Sequence, residues 1–200
     1  MSFMNKKFAL TFAELALVMA IIGITAAITI PQLKKHSQRT ELGVQLQKAY
    51  LNLEDVADNA IMTEGPMRNW DFSSNKVFFE KYLVPNLRTT KVENNGSCGN
   101  EQCYVITMDG AKMSVANCGS NKCQVYVDVN GDNLPNLAGK DQFRFQFTKS
   151  GDDDYYLPET VRPLENGVEH ELAMHGWRFS TNLWNCEPGS AASYNGSCKY

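Results

Sequence analysis

From residue 9 to residue 32 the chain is apolar or uncharged throughout, except for a single carboxylate, Glu14. Residues 10–30 are enough to cross a hydrocarbon core as a helix, which takes about 20 residues at about 1.5 Å each. Beyond Pro31 the pattern changes. Leu42, Leu46, Ala49, Leu53, Val56 and Ala60 recur at alternating steps of four and three, which is one stripe of an amphipathic helix. The apolar helix is therefore expected to continue to about Met62, roughly 80 Å from Leu10 at about 1.5 Å per residue, and to end at Gly65 and Pro66. Gly43 is expected to weaken it locally. Pro31 has no N–H for the helical ladder and predicts a bend or a melted turn.

Further along, Val77, Phe78, Phe79, Tyr82 and Leu83 predict a short helix that Pro85 stops. Residues 104–108 and 113–116 flank Asp109 and Gly110, a dipeptide suited to the positive φ angles of a tight hairpin. Val125, Val127 and Val129, and then Phe143, Phe145 and Phe147, alternate with polar or amphipathic residues, so each run buries one face. The expected fold class is α+β: a long N-terminal helix whose second half packs on an antiparallel sheet of about four strands. A loop-rich, disulfide-bonded region follows. Its aromatic residues, including Trp177, Trp184, Tyr155 and Tyr156, either cover the sheet or form a partner-binding face.

Composition narrows the setting. With 200 residues and 43% hydrophobic content, the chain supports one membrane stem and one globular domain. The formal charge is −3, and no basic stripe with interleaved aromatics argues for nucleic acid. Cys98, Cys103, Cys118, Cys123, Cys186 and Cys198 make an even count among Asn-Gly turns, which suits three disulfides in an oxidising compartment. Among the first four, two small loops (Cys98 with Cys103, Cys118 with Cys123) and a nested arrangement (Cys103 with Cys118, Cys98 with Cys123) are both open. A zinc site from these four thiolates would need longer gaps than usual. Asn95 and Asn195 each begin Asn-Gly-Ser, read here as turns before a cysteine rather than glycosylation acceptors.

Two clusters carry candidate chemistry. Asp128, Asn130, Asp132 and Asn136, with Asp141 further on, place oxygen side chains along a turn after a strand, and the opening resembles the first half of an EF-hand loop. Asn133 stands at the glycine position and Gly139 at that of the bidentate Glu, so a true EF-hand is excluded. A calcium site and an Asx-rich loop satisfying its own backbone are the two readings. His170, Glu171 and His175 look like a zinc-protease motif with one residue too many. Histidines five apart on a helix are separated by about 140°, so they cannot share a metal on one face. No enzyme is expected, and no cofactor is required.

An acid inside an apolar span is costly unless it has a partner and a purpose. Lys6, Lys7, Phe8, Ala9, Leu10, Thr11, Phe12, Ala13, Glu14 and Leu15 together resemble the leader and cleavage site of type IV pilins and type II secretion pseudopilins. Gly23 and Pro31 fall where that family's stem helix carries a loosening glycine and a proline. Ala9 and Leu10 stand where the family commonly has Gly and Phe. The resemblance implies cleavage by prepilin peptidase after Ala9, N-methylation of Leu10, and pairing of Glu14, the fifth mature residue, with an α-ammonium during assembly. Loss of Lys6 and Lys7 would make the formal charge more negative by two.

The implied organisation is a leader (1–9), a transmembrane segment (10–31), an amphipathic helix (32–65), an α+β head (66–151) and a loop-rich C-terminal region (152–200). Implied partners are other pilin or pseudopilin subunits, prepilin peptidase, the inner-membrane assembly machinery and the lipid bilayer. The expected location is the bacterial inner membrane, single pass with the head extracytoplasmic, and then a filament or the cell surface. Lys34, Lys35 and Arg39 outnumber Lys6 and Lys7, which by the positive-inside rule alone gives the opposite orientation. The leader match and the cysteines override it. The family also implies a C-terminal loop closed by Cys186 and Cys198, and some pseudopilin heads hold calcium in a loop between late strands. The alternative is an uncleaved single-pass anchor displaying an extracytoplasmic binding domain. An ordinary secretory signal is opposed by the length of the apolar run and by the lack of a small-x-small site before Pro31.

Overall fold

A computed structural model describes residues 11–99, 102–119, 121–149, 161–164 and 167–184. Helix α1 (Phe12–Glu64) runs through Pro31 without a break in helical structure, so the melted turn expected there is absent. Its end is set by Gly65 at φ +87°, whose N–H donates to the Ile61 carbonyl at 3.0 Å. The chain divides into two compact units, Met1–Gln38 and Arg39–Tyr200. In the first, Leu15, Leu17, Val18, Ile21, Ile22, Ile24 and Ile28 are all exposed. Two threonines hide their polar groups within the helix: Thr25 Oγ1 donates to the Ile21 carbonyl at 3.0 Å and Thr29 Oγ1 to the Thr25 carbonyl at 2.6 Å. Among the described residues, α1 is the one helix long and apolar enough to cross a membrane.

In the second unit all six residues of the expected stripe are buried, joined by Gly43 and Ala57. Helical turns follow at Met67–Asn69, at Asn75–Phe78 (α2), and onward through Phe79–Leu83 and Val84–Asn86. The sheet comprises β1 (Thr89–Asn94), β2 (Cys103–Thr107), β3 (Lys112–Gly119), β4 (Lys122–Asp128), β5 (Gln142–Thr148) and β6 (Val161–Pro163). All neighbours are antiparallel and lie in sequence order. Six strands replace the expected four or so. β1 is polar and mostly exposed, and β6 is three residues long, so neither shows a strong period-two signal. Two short helices complete the unit, α3 (Val168–Met174) and α4 (Thr181–Trp184).

The core lies on one face of the sheet. Val105, Met113, Val115, Val125, Phe145 and Phe147 are wholly buried there, as are Leu46, Leu53, Val56 and Ala60 of α1. An aromatic cluster closes one end, with Trp70 stacked on Tyr82 at 4.5 Å and Phe78 edge-on to Phe147 at 5.1 Å. After α3 the chain returns to α1, and the Trp177 ring lies 4.9 Å from Tyr50 and 6.4 Å from Phe145. Trp177, half-buried, thus packs against the core formed by α1 and the sheet.

Gly43 does more than weaken the helix. A Cβ at that position would lie 2.5 Å from the Trp177 carbonyl oxygen. Alanine would gain about 1 kcal/mol in helix propensity. It would meet backbone that cannot rotate away, and overpacking of this kind costs about 1–3 kcal/mol. Gly43→Ala is therefore expected to lower Tm by several degrees in thermal unfolding of the full chain in detergent. Gly23→Ala, where an added Cβ meets nothing within 4 Å, is expected not to lower Tm.

Candidate functional site

Two regions gather the candidate residues. At the start of α1, Thr11 and Glu14 form a reciprocal cap. The Thr11 N–H donates to Glu14 Oε2 at 2.8 Å, and the Glu14 N–H donates to Thr11 Oγ1 at 3.3 Å. This is a capping box, in which an acid at the third helical position satisfies the N-cap amide. The sequence carries its signature in Thr-x-x-Glu, a local role for Glu14 besides the one its place in the apolar span suggests. Ala9 and Leu10 lie outside the described residues. Gly23 and Pro31 lie within α1, the former on open surface.

The second region is the loop from β4 to β5. Asp128 closes β4, and its Oδ1 accepts the Asn130 N–H at 3.3 Å while Oδ2 accepts Gln142 Nε2 at 3.2 Å. Gly131, at φ +65°, passes so close to the β2–β3 turn that a Cβ there would lie 2.8 Å from the Gly110 carbonyl oxygen. Three oxygens, Asp128 Oδ2, the Gly131 carbonyl and the Asn133 carbonyl, converge within 3.0 to 3.3 Å of the carboxamide end of Asn136. With its nitrogen turned inward, Asn136 donates to all three. With its oxygen inward, it completes a four-oxygen set of the kind a hard cation takes. Burial, and then the charge of Asp141, raise the Asp128 carboxyl to about 6.

The other predicted ligands are engaged differently. Asp141 is fully buried and staples the loop, accepting the Asn136 N–H at 2.7 Å and the Leu137 N–H at 2.6 Å. Asp132 is turned out to solvent, 3.4 Å from Lys112 Nζ. Asn130 Nδ2 donates to the Leu134 carbonyl at 3.3 Å, while its buried Oδ1 has no partner. The structure thus brings Asp128 and Asn136 together with two backbone carbonyls. Those four oxygens are fewer than the six to eight that Ca²⁺ takes, and with the Asn136 nitrogen turned inward the Asx-rich loop satisfies itself. Among the described residues no group of three or more His, Cys, Asp and Glu converges as a metal site.

Beside this loop a cavity of about 320 Å³ opens over β3, β4 and β5. Its wall includes Glu169 of α3, 3% exposed, a residue the sequence did not flag. The Glu169 carboxyl takes backbone N–H bonds from Glu169 and Arg144, and Oε1 is left without a partner. Burial pushes this carboxyl up to about 7, against the opposing pull of those bonds and of the Arg144 charge.

His170 lies in α3 and His175 just past its end. The disulfides are Cys98–Cys103 and Cys118–Cys123, the small-loop pairing, which leaves these four sulfurs no thiolate for zinc. Asn75 ties the two loops together: its Nδ2 donates to the Cys98 carbonyl at 3.0 Å and its Oδ1 accepts the Cys118 N–H at 3.0 Å. Cys186 and Cys198 lie outside the described residues.

A family described as being of unknown function (DUF6613) matches residues 32–175. No curated protein and no solved structure matches the chain.

Two outcomes follow from these geometries. If the loop binds calcium, saturation at about 100-fold over Kd adds about 2.7 kcal/mol, which moves Tm by about 5–10 °C for a chain of this size. Scanning calorimetry with calcium and with chelator is expected to show that shift in the native chain and none in Asp128→Asn. For Glu169, the folded chain holds its proton more tightly than the unfolded chain. Its contribution to stability is therefore whole below pH 4.5 and lost as pH rises through about 7. Glu169→Gln is expected to flatten the fall in Tm across that range.

Proposed function

We propose, for a chain that belongs to the DUF6613 family, the role of a structural filament subunit of type IV pilin or pseudopilin kind. In this reading it enters the bacterial inner membrane by the first half of α1, with the head on the extracytoplasmic side. Prepilin peptidase cuts after Ala9, Leu10 is N-methylated, and the subunit is drawn from the bilayer into a filament by the assembly machinery. Its role is structural rather than catalytic. The observation that carries this is the exposure of the apolar half of α1 together with one acid, Glu14, placed one turn beyond the expected new N-terminus. A solvent-exposed apolar helix of that length calls for lipid or for other helices. Two disulfides in the head support an oxidising compartment. The loop around Asp128 and Asn136 would hold calcium as a stabilising ion.

The second reading, an uncleaved anchor displaying a binding domain, is favoured by the capping box. Thr11 already satisfies Glu14 without any incoming amine. The two readings separate experimentally. Mass spectrometry of the native chain is expected to find N-methylated Leu10 at the terminus, and an intact leader would support the anchor instead. Gln serves a capping box as well as Glu does. Glu14→Gln should thus keep the helix start and the cleavage but lose most incorporation into sheared filaments. Unimpaired incorporation would reduce Glu14 to a cap.

A further inference from the structure

We propose that the cavity over β3, β4 and β5 binds a neutral, hydroxyl-rich ligand the size of one sugar ring. Its floor is built from two cross-strand rows on the sheet face turned away from the α1 core. One row is Lys112, Asp128 and Gln142, and the next is Ser114, Tyr126 and Arg144. They share that face because the intervening Met113, Val127 and Phe143 point into the core. The β4–β5 loop forms one wall and the start of α3 another. The two walls meet where a Cβ on Gly139 would lie 3.2 Å from Val168. At about 320 Å³ the space is at the lower end of small-molecule sites, which begin at about 300 Å³.

The lining selects against ions. Lys112 is 3.4 Å from Asp132 and 4.6 Å from the Tyr104 ring, and the Arg144 charge acts on Glu169. An ammonium ligand would meet Lys112 and Arg144 as well as the acids, and a phosphate or carboxylate would meet Asp128, Asp132 and Glu169 as well as the bases. A hydroxyl both donates and accepts, so it can use neighbouring side chains of either kind. Ser114, 5% exposed, offers a hydroxyl on the floor, and Tyr126 and Val168 offer apolar surface to the C–H face of a ring. Glu169, 97% removed from solvent, lines the wall with a carboxyl held by the backbone N–H groups of Glu169 and Arg144.

The test is saturation-transfer NMR on the full chain in detergent with chelator present, so that calcium plays no part. The probes are glucose, galactose, mannose and N-acetylglucosamine, with ethanolamine and inorganic phosphate as charged comparators. Transfer to at least one of the sugars is expected. It should weaken about tenfold in Ser114→Leu, which fills the floor, and in Gln142→Ala, an exposed position where unchanged Tm certifies the fold. No transfer to any of the four sugars overturns the proposal. So does transfer undiminished in Gln142→Ala, or selective binding of ethanolamine or phosphate.

Discussion

The head depends on one contact, the seating of a narrow stripe of α1 on the apolar face of the sheet. Leucines at 42, 46 and 53 alternate with Ala49, Val56 and Ala60, so large side chains reach between strands while small ones let the helix backbone approach. The sheet answers with Phe143, Phe145 and Phe147 from one strand and with Val125 and Val127 from its neighbour. Burial of this apolar surface is the dominant favourable term, and close packing makes it specific to these side chains. Polar ties such as Lys48 to Asp109 at 2.6 Å are exposed and add little energy, but they fix where the β2–β3 turn meets the helix.

Much of this was legible before any coordinates. The stripe from Leu42 to Ala60, the Asp-Gly turn, and the alternation in β4 and β5 are strong periodic signals, and each marks a buried face. What escaped reading has weak periodicity for a physical reason. β1 is an edge strand whose Lys91 and Glu93 face solvent, and its charges discourage pairing with another chain. Helix α3 is short and is held by tertiary contact with the sheet rather than by propensity. The small-loop disulfide pairing could not be chosen from spacing, because it depends on strand register: Gly119 pairs with Lys122, which sets Cys118 beside Cys123.

The candidate sites divide in the same way. Oxygen-rich loop residues announce themselves by type, yet type does not say which of them converge. Asp141 is equivalent to Asp128 in composition, but it is consumed by two backbone N–H groups, while Asp132 projects into water. Glu169 and Arg144 carry no motif at all. They come together because β6 is short and α3 begins beside the stretch of β5 that it leaves uncovered.

The close pass of the Trp177 carbonyl over Gly43 has an evolutionary corollary. Helix and returning chain touch backbone to backbone, so the two positions cannot drift independently. A family member with a side chain at the helical position must reroute the segment after α3, and with it the Trp177 ring that shields Tyr50 and Phe145. Paired change at these two sites across the lineage would therefore mark branches in which the sheet acquired a different cover.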